Sequence, residues 1–165
     1  MPLAFYLSDI FMLVFAIAAA ASAVPQSRQR VVPRWQLLLP GALATLATVA
    51  LVIYPHPRDL LELQMWLIGS PGLLVGAARS QFMGIESDRA WGLVRLRYGK
   101  DVLWAAAALA PFALIHFVVE ISSLAVNPYM ASVVLLMTLS GSYLMGRSLV
   151  AWIRAGREAH VDLPD

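Results

Sequence analysis

The sequence predicts an all-α fold: a polytopic membrane bundle of five transmembrane helices, N-terminus outside and C-terminus in the cytoplasm, with a short cytoplasmic β-hairpin between helices three and four. Three observations predict it. The chain is 60% hydrophobic and only 13% charged, with a mean hydropathy of +0.72, whereas soluble domains carry roughly a quarter charged residues. Five apolar runs, at 3–24, 36–54, 60–78, 102–121 and 128–150, come near the roughly 20 residues that a bilayer core requires. Lys and Arg fall in alternate gaps between these runs, as the positive-inside bias of cytoplasmic segments demands. Five spans leave no room for a soluble domain of useful size, so residues 1–165 are expected to form one integral membrane domain.

The first run could pass for a signal peptide, because Ala21-Ser22-Ala23 resembles a cleavage site. Signal peptides begin with a positive segment, and Met1 to Phe11 holds no Lys or Arg but does hold Asp9. An uncleaved helix is expected. Pro25 and Pro33 bracket the gap that follows, Pro55 and Pro57 punctuate the next, and Asn127-Pro128 opens the last run. Pro71 and Pro111 lie inside the third and fourth runs, where each removes a backbone donor and bends its helix. Such bends can open a cavity, although membrane helices carry more proline in any case.

The first gap holds Arg28, Arg30 and Arg34, the third holds Arg79, Arg89, Arg95, Arg97 and Lys100, and the end of the chain holds Arg147, Arg154 and Arg157. The second gap holds only Arg58, so eleven of the twelve basic residues lie on one side. Four or six spans would break this alternation. Trp35, Tyr54, Trp91, Trp104, Tyr129 and Trp152 fall at or near the expected boundaries, where amphipathic rings are favoured.

The third gap, 79–101, is the only sizeable stretch between helices. Within Gln81 to Tyr98, Val94, Leu96 and Tyr98 alternate with Arg95 and Arg97, the period of a strand. Phe82, Met83 and Ile85 precede a polar turn at Glu86-Ser87-Asp88-Arg89. A hairpin is expected, its apolar face on the helix ends and its arginines among lipid phosphates or in water.

The stretch Gly72-Leu-Leu-Val-Gly76-Ala-Ala-Arg79-Ser-Gln-Phe-Met83-Gly-Ile85-Glu-Ser-Asp88, followed by Gly92-Leu-Val-Arg95, resembles the CcdC-like family of small bacterial membrane proteins. Gly146-Arg147 with Trp152-Ile-Arg154-Ala, and Leu37-Leu-Leu-Pro40, are similar to that family's closing and second helices. The resemblance covers about residues 28 to 157. It implies a bacterial inner-membrane protein of about four or five spans and supplies no catalytic residues.

Several polar groups cluster toward the expected outer leaflet. Asp9 lies inside the first helix and Glu62 near the start of the third. His116 and Glu120 are four apart on the fourth helix and share a face. His56, Arg58 and Asp59 lie in the adjoining outer loop. Ionisable residues inside spans are costly and often mark a pathway. Asp9, His116 and Glu120 are therefore a candidate proton- or cation-handling site, with helix-end anchoring as the alternative. His56 and His116 could ligate a haem, yet a lone membrane histidine more often packs and hydrogen-bonds. Neither a cofactor nor a metal site is expected, and the absence of cysteine removes disulfides and thiolate ligands.

Small residues make a second pattern. Gly69, Gly72 and Gly76 lie nearly in line on the third helix, Thr138, Ser142 and Gly146 form one row on the fifth, and Ala16, Ala20 and Ala19, Ala23 mark the first. Small residues let backbones approach where no hydrophobic drive exists between helices. Such faces serve either packing within the chain or docking of a partner or second copy. Arg79 and Arg147 sit at the cytoplasmic ends of their helices, placed to snorkel to phosphates or to bind an anionic lipid or a partner carboxylate. Arg95 and Arg97 extend that basic surface, which lipid charge explains better than nucleic acid does.

No phosphate-binding glycine loop, serine nucleophile motif or paired-histidine motif occurs. The expected role is a non-enzymatic accessory, scaffold or assembly subunit of a membrane complex. The alternatives are a small proton- or cation-coupled transporter using Asp9, His116 and Glu120, and, more weakly, a membrane-embedded redox or lipid-modifying enzyme. The expected partners are the bilayer, its anionic headgroups, and a membrane protein or second copy.

Overall fold

The computed structural model describes residues 3–52, 59–97, 99–121, 130–161 and 163, with side chains described over 7–51, 67–97, 99–119, 131–161 and 163. Each apolar run carries one helix: α1 (Leu3–Ser27), α2 (Leu39–Val52), α3 (Asp59–Gln81), α4 (Lys100–Ile121) and α5 (Met130–Ala155). Among the described residues, three segments are long and apolar enough to cross a membrane: Leu7–Ser27, Lys100–Val119 and Ala131–Ala155. The apolar helix Leu39–Leu51 is shorter. α3 carries Asp59, Glu62, Gln64 and Arg79 along its length and is not among them.

α1, α2, α5 and α4 form a ring in which each helix packs on the next, and α3 lies outside it against α5. The ring's core is built on small side chains: Ala16, Ala19 and Ala23 of α1, Ala44 and Ala47 of α2, and Ala106 and Ala113 of α4, filled out by Met12, Leu109, Met137 and Leu144. Alanine lets the helix axes approach, and close backbone approach is what holds helices together in lipid. Larger apolar side chains point outward, among them Phe11, Val14 and Ile17 of α1, Leu46 of α2, Leu74 of α3 and Leu114 of α4. An apolar exterior around a small-residue interior suits a hydrocarbon surround.

One end of the bundle is capped by a three-stranded antiparallel sheet of order β1-β3-β2, made of β1 (Val32–Pro33), β2 (Ile85–Asp88) and β3 (Leu93–Leu96). The β2–β3 pair is the hairpin expected from the period-two pattern, with Ile85 opposite Leu96 and Asp88 opposite Leu93. Of the polar residues expected in its turn, Glu86, Ser87 and Asp88 lie instead in β2, because they pair with Arg95, Val94 and Leu93, and the turn falls at 89–92. Val94 and Leu96 point inward and pack with Val32, Leu37, Met83 and the last turns of α5 at Ala151 and Ala155. The hairpin loop turns on Gly92 at φ +64°, where a Cβ would strain the backbone. Asp88 Oδ1 accepts from the amides of Ala90 at 3.0 Å and Trp91 at 3.2 Å, closing the turn as aspartate does in such loops. The strand β1 was not expected. Two residues ending in proline show no alternation, and only the pairing of Val32 with Val94 and of Pro33 with Leu93 makes it a strand.

Candidate functional site

Among the described residues, the largest fully buried side chain is that of Arg147 on α5, at 0% exposure. A guanidinium so placed needs a full set of acceptors, and several elements supply them. Arg147 Nε donates to Asp101 Oδ2 of α4 at 2.8 Å, and Nη2 lies 3.5 Å from Oδ1. Nη1 donates to Gln26 Oε1 of α1 at 3.4 Å, and Gln26 Nε2 donates onward to the Gln36 carbonyl at 2.9 Å. Tyr143, one turn before Arg147 on α5, donates its hydroxyl to Asp101 Oδ2 at 2.9 Å. Arg79 Nε of α3 lies 3.8 Å from the same oxygen, with its side chain half-exposed. Asp101 stands in the first turn of α4, where a carboxylate also faces the positive helix end. Gly99 lets the chain reach that position, because a Cβ there would collide with the Gln26 carbonyl.

Beyond this hub, the helix ends are tied together. Arg154 Nη1 donates to the carbonyls of Ser80, Gln81 and Met83, at and just beyond the end of α3, where helix carbonyls lack intrahelical donors. Its Nη2 bonds Glu158. Arg34 donates to the Trp152 carbonyl at 3.1 Å and lies over that indole at 4.5 Å. The residues that follow α5 add to the free edge of β2: Ser87 pairs with His160 in a parallel bridge, and the Val161 amide donates to the Ser87 carbonyl.

The expected anion-binding arginines divide three ways. Arg147 is closed inside the bundle. Arg95 and Arg97 both turn to Glu86, with Nε atoms 2.9 and 2.8 Å from its two carboxylate oxygens. The bond from Arg97, then that from Arg95, holds the Glu86 carboxyl below its ordinary range. Arg79 alone of the four combines a place beside the buried network with a half-exposed side chain.

The expected small-residue faces meet each other. A Cβ on Gly72 would meet Ser142 and the Leu139 carbonyl, one on Gly76 would collide with the Tyr143 carbonyl, and one on Gly146 would collide with the Leu73 carbonyl. A Cβ on Gly69 would rest 3.5 Å from Thr138. These six positions form one seam between α3 and α5 within the chain, so that face is already covered.

At the far end of the bundle, Asp9 of α1 and His116 of α4 come together, Oδ1 to Nδ1 at 3.8 Å, both buried. The side chains of Glu62 and Glu120 lie outside the described residues, as do His56 and Arg58. Among the described residues no group of three or more His, Asp or Glu converges on a metal position. From Asp101 to His116 the α4 axis rises about 22 Å. The interior between them is apolar, at Ala106, Leu109 and Ala113 of α4 and Met12, Ala16 and Ala19 of α1.

Sequence reasoning missed Gln26, Asp101, Tyr143 and Arg154. Asp101 reads as an ordinary first-turn acid, and Gln26 as the polar end of a span. A tyrosine four residues before an arginine inside an apolar run was the one available signal, since that spacing shares a face. The chain matches no protein-family model, no curated protein and no solved structure.

Proposed function

We propose that the chain is a multi-pass protein of the bacterial inner membrane, crossing it five times with the sheet-bearing end in the cytoplasm, and that it serves without chemistry of its own as an accessory or assembly subunit of a membrane complex. The concentration of basic residues in alternate gaps supports this orientation. The resemblance to the CcdC-like family is in keeping with an inner-membrane setting. Length supports two further crossings: α3, with 23 residues, is about 34 Å long, and α2 with the 3-10 turn before it, Arg34–Leu37, reaches about 29 Å. A bilayer core is about 30 Å thick.

The observation that best supports a subunit role is the build of the cap. Arg154, Arg34 and the residues after α5 hold it to the bundle, and Glu86 ties its two hairpin strands together, yet Phe82 and Trp91 remain 81% and 80% exposed. Aromatic residues are enriched in interface cores, and a cap tied to the bundle presents them at a lower ordering cost. The test is the mass of the intact assembly in mild detergent for the native chain and for the Phe82→Ala, Trp91→Ala double variant. A stoichiometric complex that the double variant loses, while its own fold persists, supports the reading. A native chain that is only ever monomeric or homodimeric opposes it.

The Asp9–His116 pair favours a second reading, a proton-coupled carrier. Asp9→Asn should then abolish proton-dependent flux without unfolding the bundle. The long apolar interior between the two polar layers speaks for the subunit role instead.

A further inference from the structure

Because α3 packs on α5 and stands off from α4, a groove of about 390 Å³ runs along α5 between them. Its walls include Pro71, Gly72 and Val75 of α3, Ala105 of α4, and Leu139 and Tyr143 of α5. Pro71 and Gly72 bring little bulk to the α3 wall, and Ala105 little to the α4 wall. The surface is almost wholly apolar and opens sideways, toward the hydrocarbon in the arrangement proposed above.

The groove has a charged end. One turn from Val75 along α3 is Arg79, and one turn from Ala105 along α4 is Asp101, so each lies on the same helix face as the wall residue. Tyr143 belongs to both regions: it lines the groove, and its hydroxyl donates to Asp101. The groove therefore ends at the Arg79–Asp101–Arg147 cluster, which holds two cations and one anion. Arg147 and Asp101 are matched at 2.8 Å. Arg79 sits further off, at 3.8 Å, with 44% of its side chain exposed, and supplies the excess positive charge. An apolar channel that ends in one surplus, accessible cation at headgroup level is complementary to one class of molecule.

We propose that this groove holds an acyl chain of an anionic phospholipid, whose phosphate accepts from Arg79. Val75, Ala105 and Leu139 contact the chain, and Tyr143 closes the groove where chain meets headgroup. The site rests on the membrane placement and not on the subunit role. Its headgroup preference comes from Arg79, and its retention of lipid comes from the groove.

The experiment is native mass spectrometry of the purified full chain in mild detergent with equal concentrations of phosphatidylglycerol or phosphatidylethanolamine. One bound phosphatidylglycerol is expected, preferred about fivefold over phosphatidylethanolamine, the effect of one arginine near a membrane surface. Arg79→Gln should make the two lipids equal, and Arg79→Lys should keep the preference. Ala105→Phe and Val75→Phe fill the groove from opposite walls, so either variant that folds should lose both lipids. Equal binding of the two lipids by the native chain overturns the proposal, as does a preference that survives Arg79→Gln. Retention unchanged in a folded groove-filling variant, or a protein helix in place of lipid, overturns it too. Loss of a partner complex in the Phe82 and Trp91 variant leaves this result untouched, so the two readings fail separately.

Discussion

Arg147 Nε lies 2.8 Å from Asp101 Oδ2, and the arginine has no exposed surface. This contact joins α5 to α4. Through Gln26 it reaches α1, and through the shared Asp101 oxygen it reaches α3. An arginine with no access to the bundle surface does not snorkel. Its charge stays inside, and its role is to fix which helix stands beside which.

Removing one partner should therefore cost far more than removing both. Arg147→Met alone leaves the Asp101 carboxylate without its main partner, a loss of about 3–5 kcal/mol for a buried pair. Arg147→Met with Asp101→Leu should recover much of it. Unfolding in detergent for the two single variants and the double variant checks this, and additive losses would refute the coupling.

The seam between α3 and α5 can be tested by cross-linking, because the chain contains no cysteine. A Cβ on Gly69 would lie 3.5 Å from the Thr138 Cγ2 methyl, close enough for a cysteine pair at these two positions to bridge. Gly69→Cys with Thr138→Cys should join under mild oxidant within one chain. Gly76→Val should weaken that cross-link and cost about 1–3 kcal/mol by overpacking, since even a Cβ there meets backbone. Cross-linking between chains instead would show that the seam serves a second copy.

Acid should loosen the cap through Glu86. Its bonds from Arg97 and Arg95 lower the carboxyl below its ordinary 4.5. A carboxyl depressed on folding adds stability that is complete above its unfolded value and is lost as pH falls through the lower folded value. No change is expected near neutrality. Below pH 4.5, amide exchange in β2 and β3, corrected for intrinsic rates, should quicken relative to α5. Glu86→Gln should remove that step.

Much of this architecture was legible from one-dimensional pattern. Spacing of apolar runs located all five helices, and alternation around Val94 and Leu96 located the hairpin. The glycine row on α3 and the small-residue row on α5 were both visible, but only three dimensions show that they face each other. Asp9 and His116 share no local pattern and meet only because α1 packs on α4. The Arg147 partners were hidden for the same reason: Gln26 is 121 residues away in the chain. The cap by Arg154 was hidden because its acceptors are main-chain carbonyls, which no side-chain motif announces.

The most direct measurement of the membrane arrangement is thiol labelling in intact cells with a membrane-impermeant reagent, using single cysteines placed in the cysteine-free chain. His56→Cys and Ala125→Cys should label from outside. Ala90→Cys and Arg157→Cys should label only after the cells are permeabilised. Labelling of positions 56 and 90 from the same side would show that α3 does not cross the membrane, and would contradict the five-span account.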